Sequence, residues 1–286
     1  MPDFLDMLAR DAKETINSGY YEVSTLISTP SISLEKAIVQ SKYIPIISEI
    51  KAASPSLGTI RKNLNPGKVA GAMEKGGAVG ISVLTEPKHF EGSLICLAKV
   101  RKAVKLPILM KDIIISTAQL ETASKTGANA VLLIEALFER GYCECDIHEM
   151  IAKAHLKNLE VLLETHNMDE FQFAVSSGAD LIGINNRNLG TLKVDLNVTK
   201  KILEKNGTNG ITVVSESGVE TLNDLRFLYK CGAHAFLIGS AIMLANDIEK
   251  KVREFVLALD WRWTETNDQG SKRAMESIER KEDVRA

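Results

Sequence analysis

A repeat of about 50 residues constrains the fold of this chain more than any other feature of its sequence. A Gly-Ala pair followed by an apolar run occurs four times, with its glycines at Gly77, Gly127, Gly178 and Gly232. The successive separations are 50, 51 and 54 residues. This period is too long for one strand and one helix with short connections, and it suits two strand–helix units.

A second set of apolar runs lies between the Gly-Ala runs. These are YIPIISEIK from Tyr43, LPILMKD from Leu106, LEVLLET from Leu159 and ITVVSES from Ile211. Short runs rich in Ile, Val and Leu are typical of parallel strands buried on both faces. Helical patterns separate them, such as the one after Asn167, where Glu170 has capping-box spacing. Eight such strand–helix units predict an α/β fold, a (β/α)₈ TIM barrel, over residues 41–260.

The alternative fold, a doubly wound open sheet, would show a G-x-G-x-x-G turn after its first strand, and the sequence has none. Two segments flank the predicted barrel. Residues 1–40 form an N-terminal helical extension, because an apolar stripe follows a possible cap at Asp3. We expect this extension to cover the barrel bottom or to border its mouth. Residues 261–286 are charged and poor in large apolar side chains, which favours a mobile or weakly helical tail.

Composition excludes several classes of function. The formal net charge of −2 argues against nucleic-acid binding, and no apolar run approaches the roughly 20 residues that span a bilayer. Four cysteines are too few for a disulfide scaffold, and the pair Cys143 and Cys145 lacks the further ligands of a zinc site. We therefore predict a cytoplasmic protein with no metal, nucleic-acid or membrane partner.

Polar and charged residues gather where the predicted strands end. They are Glu49-Ile50-Lys51, Thr85-Glu86, Lys111-Asp112, Glu164, Asn185-Asn186-Arg187, Glu216-Ser217-Gly218 and Gly239-Ser240. A single charge after a strand is usually a solvated loop residue. In a TIM barrel, however, these ends form the active-site face, and side chains two residues apart share one side of a strand. Charges that converge there need mutual pairing or a substrate.

The last two strand ends indicate a phosphate site. SESGV and IGSAI combine glycine with small residues where helices are predicted to begin. The loops after strands 7 and 8 of TIM barrels frequently bind phosphate through backbone N–H groups. The predicted phosphate ligands are Ser217, Gly218, Gly239 and Ser240.

Seven motifs resemble the indole-3-glycerol phosphate synthase family: SEIKAASPS, ISVLTEPKHFEGS, PILMKDIII, LLETHN, IGINNRNL, VSESGV and FLIGSAIM. The resemblance spans about Ile46 to Met243 and implies no cofactor. It implies conversion of 1-(o-carboxyphenylamino)-1-deoxyribulose 5-phosphate to indole-3-glycerol phosphate, with loss of CO₂ and water. A small phosphorylated molecule is thus the expected partner, and we expect a monomer or weak homo-oligomer.

The resemblance also implies roles for individual residues. Lys111 matches the general acid of ring closure, and Glu164 matches the acid/base of dehydration. Lys51 matches the lysine near the anthranilate carboxylate, and Glu49 matches the acid paired with the lysines. The implied substrate contacts are Ser54, Phe90, Asn185, Arg187 and Glu216. One departure is Ile113, which stands where many members have an aromatic residue that encloses the substrate.

Two other functions remain possible at this point. A phosphoribosylanthranilate isomerase would use an Asp/Cys pair on early strand ends, whereas the first strand here ends in Glu-x-Lys. A catalytically silent barrel that serves as a binding subunit would show a broken acid–base set, whereas Lys51, Lys111 and Glu164 are all present.

Overall fold

The computed structural model describes residues 3–24, 26–27, 30–54, 58–61 and 64–260. The predicted tail over residues 261–286 lies outside this range. Among the described residues, no helix is both long and apolar enough to cross a bilayer.

Eight parallel strands close into a barrel in which β1 pairs with both β2 and β8. The strands are β1 Ile46–Ile50, β2 Gly80–Leu84, β3 Ile108–Lys111, β4 Ala130–Ile134, β5 Glu160–Thr165, β6 Leu181–Asn185, β7 Thr212–Glu216 and β8 Ala235–Ile238. Every strand pairs with its neighbours in chain order. The predicted TIM barrel is therefore confirmed.

Helices precede the barrel and follow its strands. They are α1 Phe4–Asn17, α2 Leu34–Val39, α3 Pro66–Gly76, α4 Leu94–Ala103, α5 Thr117–Thr126, α6 Glu135–Glu139, α7 Ile147–Leu156, α8 Met168–Val175, α9 Asn197–Asn206, α10 Leu222–Lys230, α11 Ser240–Met243 and α12 Ile248–Val256. A short antiparallel pair, Ala53–Ser54 and Gly58–Thr59, follows β1.

Local sequence signals set the ends of these helices. The Asn167 side chain caps α8 by accepting hydrogen bonds from the backbone N–H groups of Asp169 and Glu170. Gly77 and Gly127 end α3 and α5 with φ values of 97° and 100°, a left-handed conformation that glycine adopts without steric cost. The Gly-Ala repeat is therefore, at these two positions, a helix stop followed by the next strand.

Side-chain alternation explains how one strand contributes both to the core and to the site. Ile47 and Leu162 belong to a buried apolar cluster that contains residues from most of the barrel strands. Two residues further on, the same strands carry Glu49 and Glu164. Because residues i and i+2 share a face, a strand that buries an apolar residue inside the barrel places the next inward residue at the mouth.

The N-terminal extension covers both ends of the barrel. At the bottom, the carboxylate of Glu160, the first residue of β5, accepts hydrogen bonds from the backbone N–H groups of Leu34 and Glu35 in α2. At the mouth, Phe4 and Leu8 of α1 line the main cleft. The two expectations for this extension therefore hold for different helices.

Candidate active site

Five charged side chains meet at the carboxyl end of the barrel. Four of them lie in strands, and the fifth directly follows β1. They form what we call the mouth cluster: Glu49, Lys51, Lys111, Glu164 and Glu216. Lys111 Nζ lies 3.1 Å from Glu164 Oε2 and 2.9 Å from Glu216 Oε2. Lys51 Nζ lies 2.9 Å from Glu49 Oε1. The charges at the strand ends thus pair with one another, as buried charges must unless a ligand pairs with them.

The mouth cluster holds its central lysine in the charged form. Burial alone would lower the pKa of the Lys111 ammonium, but the surrounding carboxylates, led by Glu164 and Glu216, raise it above its ordinary value. Burial alone would raise the pKa of Glu164, but Lys111 and His166 hold it well below its ordinary range. Lys111 is therefore an ammonium and Glu164 a carboxylate at neutral pH.

The other two carboxylates differ in their surroundings. Burial raises the pKa of Glu216, and the charge of Glu164 adds to this effect against the attraction of Lys111. Burial acts in the same sense on Glu49, but the two lysines outweigh it and lower its pKa. Carboxylates with pKa values pushed in opposite directions can serve as acid and base in one site.

Two glycines leave the space that these side chains occupy. A Cβ atom on Gly183 of β6 would lie 2.2 Å from Glu216 Oε1, and one on Gly239 would lie 2.3 Å from Glu49 Oε1. Neither carboxylate could keep its position beside such an atom. Gly239, assigned above to phosphate binding, therefore also has a packing reason to be glycine.

Replacing Gly183 with alanine is expected to destabilise the protein by about 1–3 kcal/mol, because the added methyl group would overpack the site. It should also lower turnover, because it displaces the Glu216 carboxylate. Gly71→Ala is the matched control because its Cβ would have no atom within 4 Å in the middle of α3. It should stabilise the protein by about 0.5–1 kcal/mol. Urea unfolding of both variants tests the difference, and equal stabilities would contradict the packing argument.

A cleft with an empty volume of about 1220 Å³, including its open mouth, surrounds the mouth cluster. Twelve of the thirteen predicted site residues line it: Glu49, Lys51, Phe90, Lys111, Glu164, Asn185, Arg187, Glu216, Ser217, Gly218, Gly239 and Ser240. The remaining one, Ser54, lies in the short strand after β1, and its side chain is outside the described part of the structure.

The predicted phosphate ligands lie side by side after β7 and β8. Ser217 and Gly218 both have positive φ, at 64° and 91°. Asn186 holds this turn, because its Nδ2 donates to the backbone oxygens of Glu216 and Ser217 at 3.0 and 3.1 Å. Ser240 opens α11, where the first backbone N–H groups of a helix have no intrahelical partner.

One residue of the site, Glu86, appeared in the sequence only as a charged strand end, with no role assigned to it. The Glu86 carboxylate accepts the backbone N–H groups of Lys88, His89 and Phe90, so it shapes the loop that brings Phe90 to the cleft. Its position at a strand end was the available signal.

Apolar side chains enclose the mouth cluster. Phe4 and Leu8 line the cleft from the N-terminal helix, Leu189 and Leu192 line it from a loop, and Ile134 lines it from the end of β4. Ile113, the departure noted above, lines it as well. Side-chain alternation along a strand predicts nothing about the cleft residues that lie in helices and loops.

One group of three carboxylates in the described part of the chain is close enough to share a cation. Single oxygens of Glu135, Glu139 and Glu170 lie within 4.8 Å of one another beside α6 and α8. Both oxygens of Glu170 are already engaged, one with the backbone N–H of His166 at 2.6 Å and the other with the side chain of Asn167. The His166 ring also lies beside this group, with Nδ1 3.2 Å from Glu170 Oε2. Burial and the charges of Glu170 and Glu139 raise the pKa of Glu135 to about 7, and the charge of His166 opposes this only in part.

The family model and the related proteins that match this chain carry the same name. The family model described as indole-3-glycerol phosphate synthase matches residues 7–255. A Methanocaldococcus jannaschii protein named indole-3-glycerol phosphate synthase is 46% identical over 79% of this chain and 84% of its own. A Desulforamulus reducens protein of the same name is 36% identical over 85% of this chain and 91% of its own.

Solved structures with low sequence identity share the fold. Thiamine phosphate pyrophosphorylase from Pyrococcus furiosus aligns with a TM-score of 0.57 at 19% identity, over 79% of this chain and 97% of that one. The N-acetylmannosamine-6-phosphate 2-epimerase from Clostridium perfringens aligns with a TM-score of 0.56 at 15% identity, over 75% and 93%. These similarities concern the barrel alone.

Proposed function

Because the chain belongs to the indole-3-glycerol phosphate synthase family, we propose that it catalyses the reaction for which that family is named. The substrate would be 1-(o-carboxyphenylamino)-1-deoxyribulose 5-phosphate, and the products indole-3-glycerol phosphate, CO₂ and water. The observation that carries the proposal is the mouth cluster, in which Lys111 bridges two buried carboxylates 2.9 and 3.1 Å away. The reaction needs a general acid and a general base in one enclosed space.

Charge and shape support a substrate that is anionic at both ends. The phosphate would lie on the backbone turn at Ser217 and on the start of α11 at Ser240. The anthranilate carboxylate would lie near Lys51, with Phe4 and Phe90 enclosing its ring. Arg187 lines the same cleft and donates to the backbone oxygen of Leu192 through Nη1 at 3.0 Å, so its positive charge stays near the mouth.

Ring closure would begin with proton transfer from the Lys111 ammonium to the ribulose carbonyl oxygen. The carbonyl carbon then becomes electrophilic, and the aromatic carbon that bears the carboxylate forms a bond to it. Loss of CO₂ returns the bonding electrons to the ring and restores aromaticity. The amine nitrogen and the ring accept the developing charge, so these steps need no external electron sink.

Dehydration would follow at the former carbonyl carbon. Its hydroxyl group takes up a proton from Lys51, the second ammonium of the mouth cluster, and leaves as water. The adjacent methylene carbon then loses a proton to give the indole double bond. Glu164, which is buried and ionised, is the base that we assign to this second proton. Asn185 and Glu216 would orient the sugar hydroxyls and the ring nitrogen from the neighbouring strands.

The direct test is to mix the purified protein with the carboxyphenylamino substrate and to follow indole fluorescence. We expect multiple turnovers in buffer without added cofactor. A folded protein that gives no signal would favour the silent barrel instead.

Two further proposals concern the cell and the assembly. We propose a cytoplasmic enzyme that acts as a monomer or weak homo-oligomer. The mouth cluster supports a site within one chain, because all five side chains come from the same barrel. Phosphoribosylanthranilate isomerase activity is the less favoured alternative, since no cysteine is among the described residues that line the cleft.

A further inference from the structure

His166 lies directly behind the proposed dehydration base. It follows β5 by one residue and precedes the Asn167 cap of α8. Its Nε2 is 3.1 Å from Glu164 Oε1, and its Nδ1 is 3.2 Å from Glu170 Oε2. The contact with Glu164 is an ion-pair distance without the alignment of a well-directed hydrogen bond. Each ring nitrogen therefore faces a carboxylate oxygen.

This geometry selects one protonation state of the imidazole. A neutral histidine carries a proton on one ring nitrogen and a lone pair on the other. Either neutral tautomer would leave a lone pair close to an anionic oxygen of Glu164 or Glu170, whereas the imidazolium is positively charged beside both. Burial alone would lower the pKa of His166, but these two carboxylates raise it to about 10.

We infer that His166 is a positioning residue that keeps Glu164 ionised and fixes its orientation throughout the reaction. Glu164 lies between two cations, with Lys111 on the cleft side and His166 behind. The inference rests on the proposed function, in which Lys111 gives its proton to the substrate. At that moment Lys111 becomes neutral, and His166 is left as the adjacent positive charge that holds Glu164 as a base.

Other charged groups around this pair set its pH range. Glu170 faces His166 from α8. Glu135 lies at the start of α6, and the positive charge of His166 acts to lower its pKa. On the cleft side, Glu216 and Glu49 face Lys111 rather than His166. The ring is thus surrounded by carboxylates, and its proton should be retained across the whole neutral range.

The first test measures the ring itself, independently of turnover. Nitrogen-15 NMR of histidine-labelled protein should show both His166 nitrogens protonated at pH 8. His166→Gln assigns the signal. Glu170→Gln, which keeps a side-chain oxygen for the backbone N–H of His166, should lower the midpoint of this titration by at least one pH unit. A neutral His166 ring at pH 8 would overturn the inference.

The second test uses the pH profile of kcat. His166→Gln removes one of two cations beside Glu164, so the pKa of Glu164 should rise and the acid limb of kcat should move upward by about 1–3 pH units. At the optimum, kcat should fall about ten- to a hundredfold while KM changes less than about threefold. His155→Gln is the matched control, because His155 pairs with Asp180 at 2.9 Å outside the cleft.

The outcomes separate the two proposals. An unchanged acid limb in folded His166→Gln would overturn the role of His166 while leaving the reaction intact. Absence of turnover in the unmodified protein would instead count against the proposed function, and the NMR titration would still decide the state of His166.

Discussion

Replacing Lys111 with alanine is expected to lower kcat about 10³-fold, within the 10²–10⁴-fold that one general acid typically contributes. Lys111 is the proposed donor to the substrate carbonyl, and its ammonium lies 2.9 Å from Glu216 and 3.1 Å from Glu164. Without it, ring closure lacks a proton donor, and two buried carboxylates lose their counter-charge. Steady-state indole fluorescence measures the effect.

The same variant should keep its affinity for the phosphate end of the ligand. The turn at Ser217 and the start of α11 are separate from the Lys111 side chain, so binding of indole-3-glycerol phosphate should weaken by less than about tenfold. Lys230→Ala, at the exposed end of α10, is the control and should behave as the parent. Turnover that survives Lys111→Ala, with the fold intact by circular dichroism, would remove Lys111 from the mechanism.

Glu164→Gln should abolish formation of indole more completely than it abolishes loss of CO₂. The amide keeps the shape of the side chain but cannot accept a proton as a carboxylate does, so dehydration should slow about 10³-fold. Ring closure and decarboxylation depend on Lys111 in our scheme. A single-turnover experiment should therefore release labelled CO₂ while indole fluorescence stays low.

This uncoupling distinguishes the role of Glu164 from a general effect on the site. Glu204→Gln, on the exposed side of α9, provides the control and should give CO₂ and indole together. If CO₂ and indole slow equally in Glu164→Gln, Glu164 acts before decarboxylation instead.

Much of the site follows from local rules that the sequence obeys. The 50-residue repeat predicted eight strands, and the closed barrel confirms it. Alternation then placed Glu49 with Lys51 on one face, and they form a salt bridge of 2.9 Å. These features depend on neighbours along the chain, so a sequence displays them directly.

The ion-pair partner of each charged side chain could not be predicted from neighbours along the chain. Lys111 pairs with Glu164 and Glu216, which lie 53 and 105 residues further along the chain. Alternation along one strand says nothing about which oxygen of another strand a lysine reaches. The resemblance suggested the same residues, but only the barrel's closure brings them within 3.1 Å.

The sequence by itself determined the repeat, the eight strands and the charged strand ends, because periodicity and side-chain alternation are properties of a single stretch of chain. Tertiary structure alone decided that Gly183 leaves room for Glu216, that His166 bridges two carboxylates, and that α1 and α2 cover opposite ends of the barrel. These depend on distances between segments far apart in sequence. Such distances arise only when the barrel closes and buried charges must find partners.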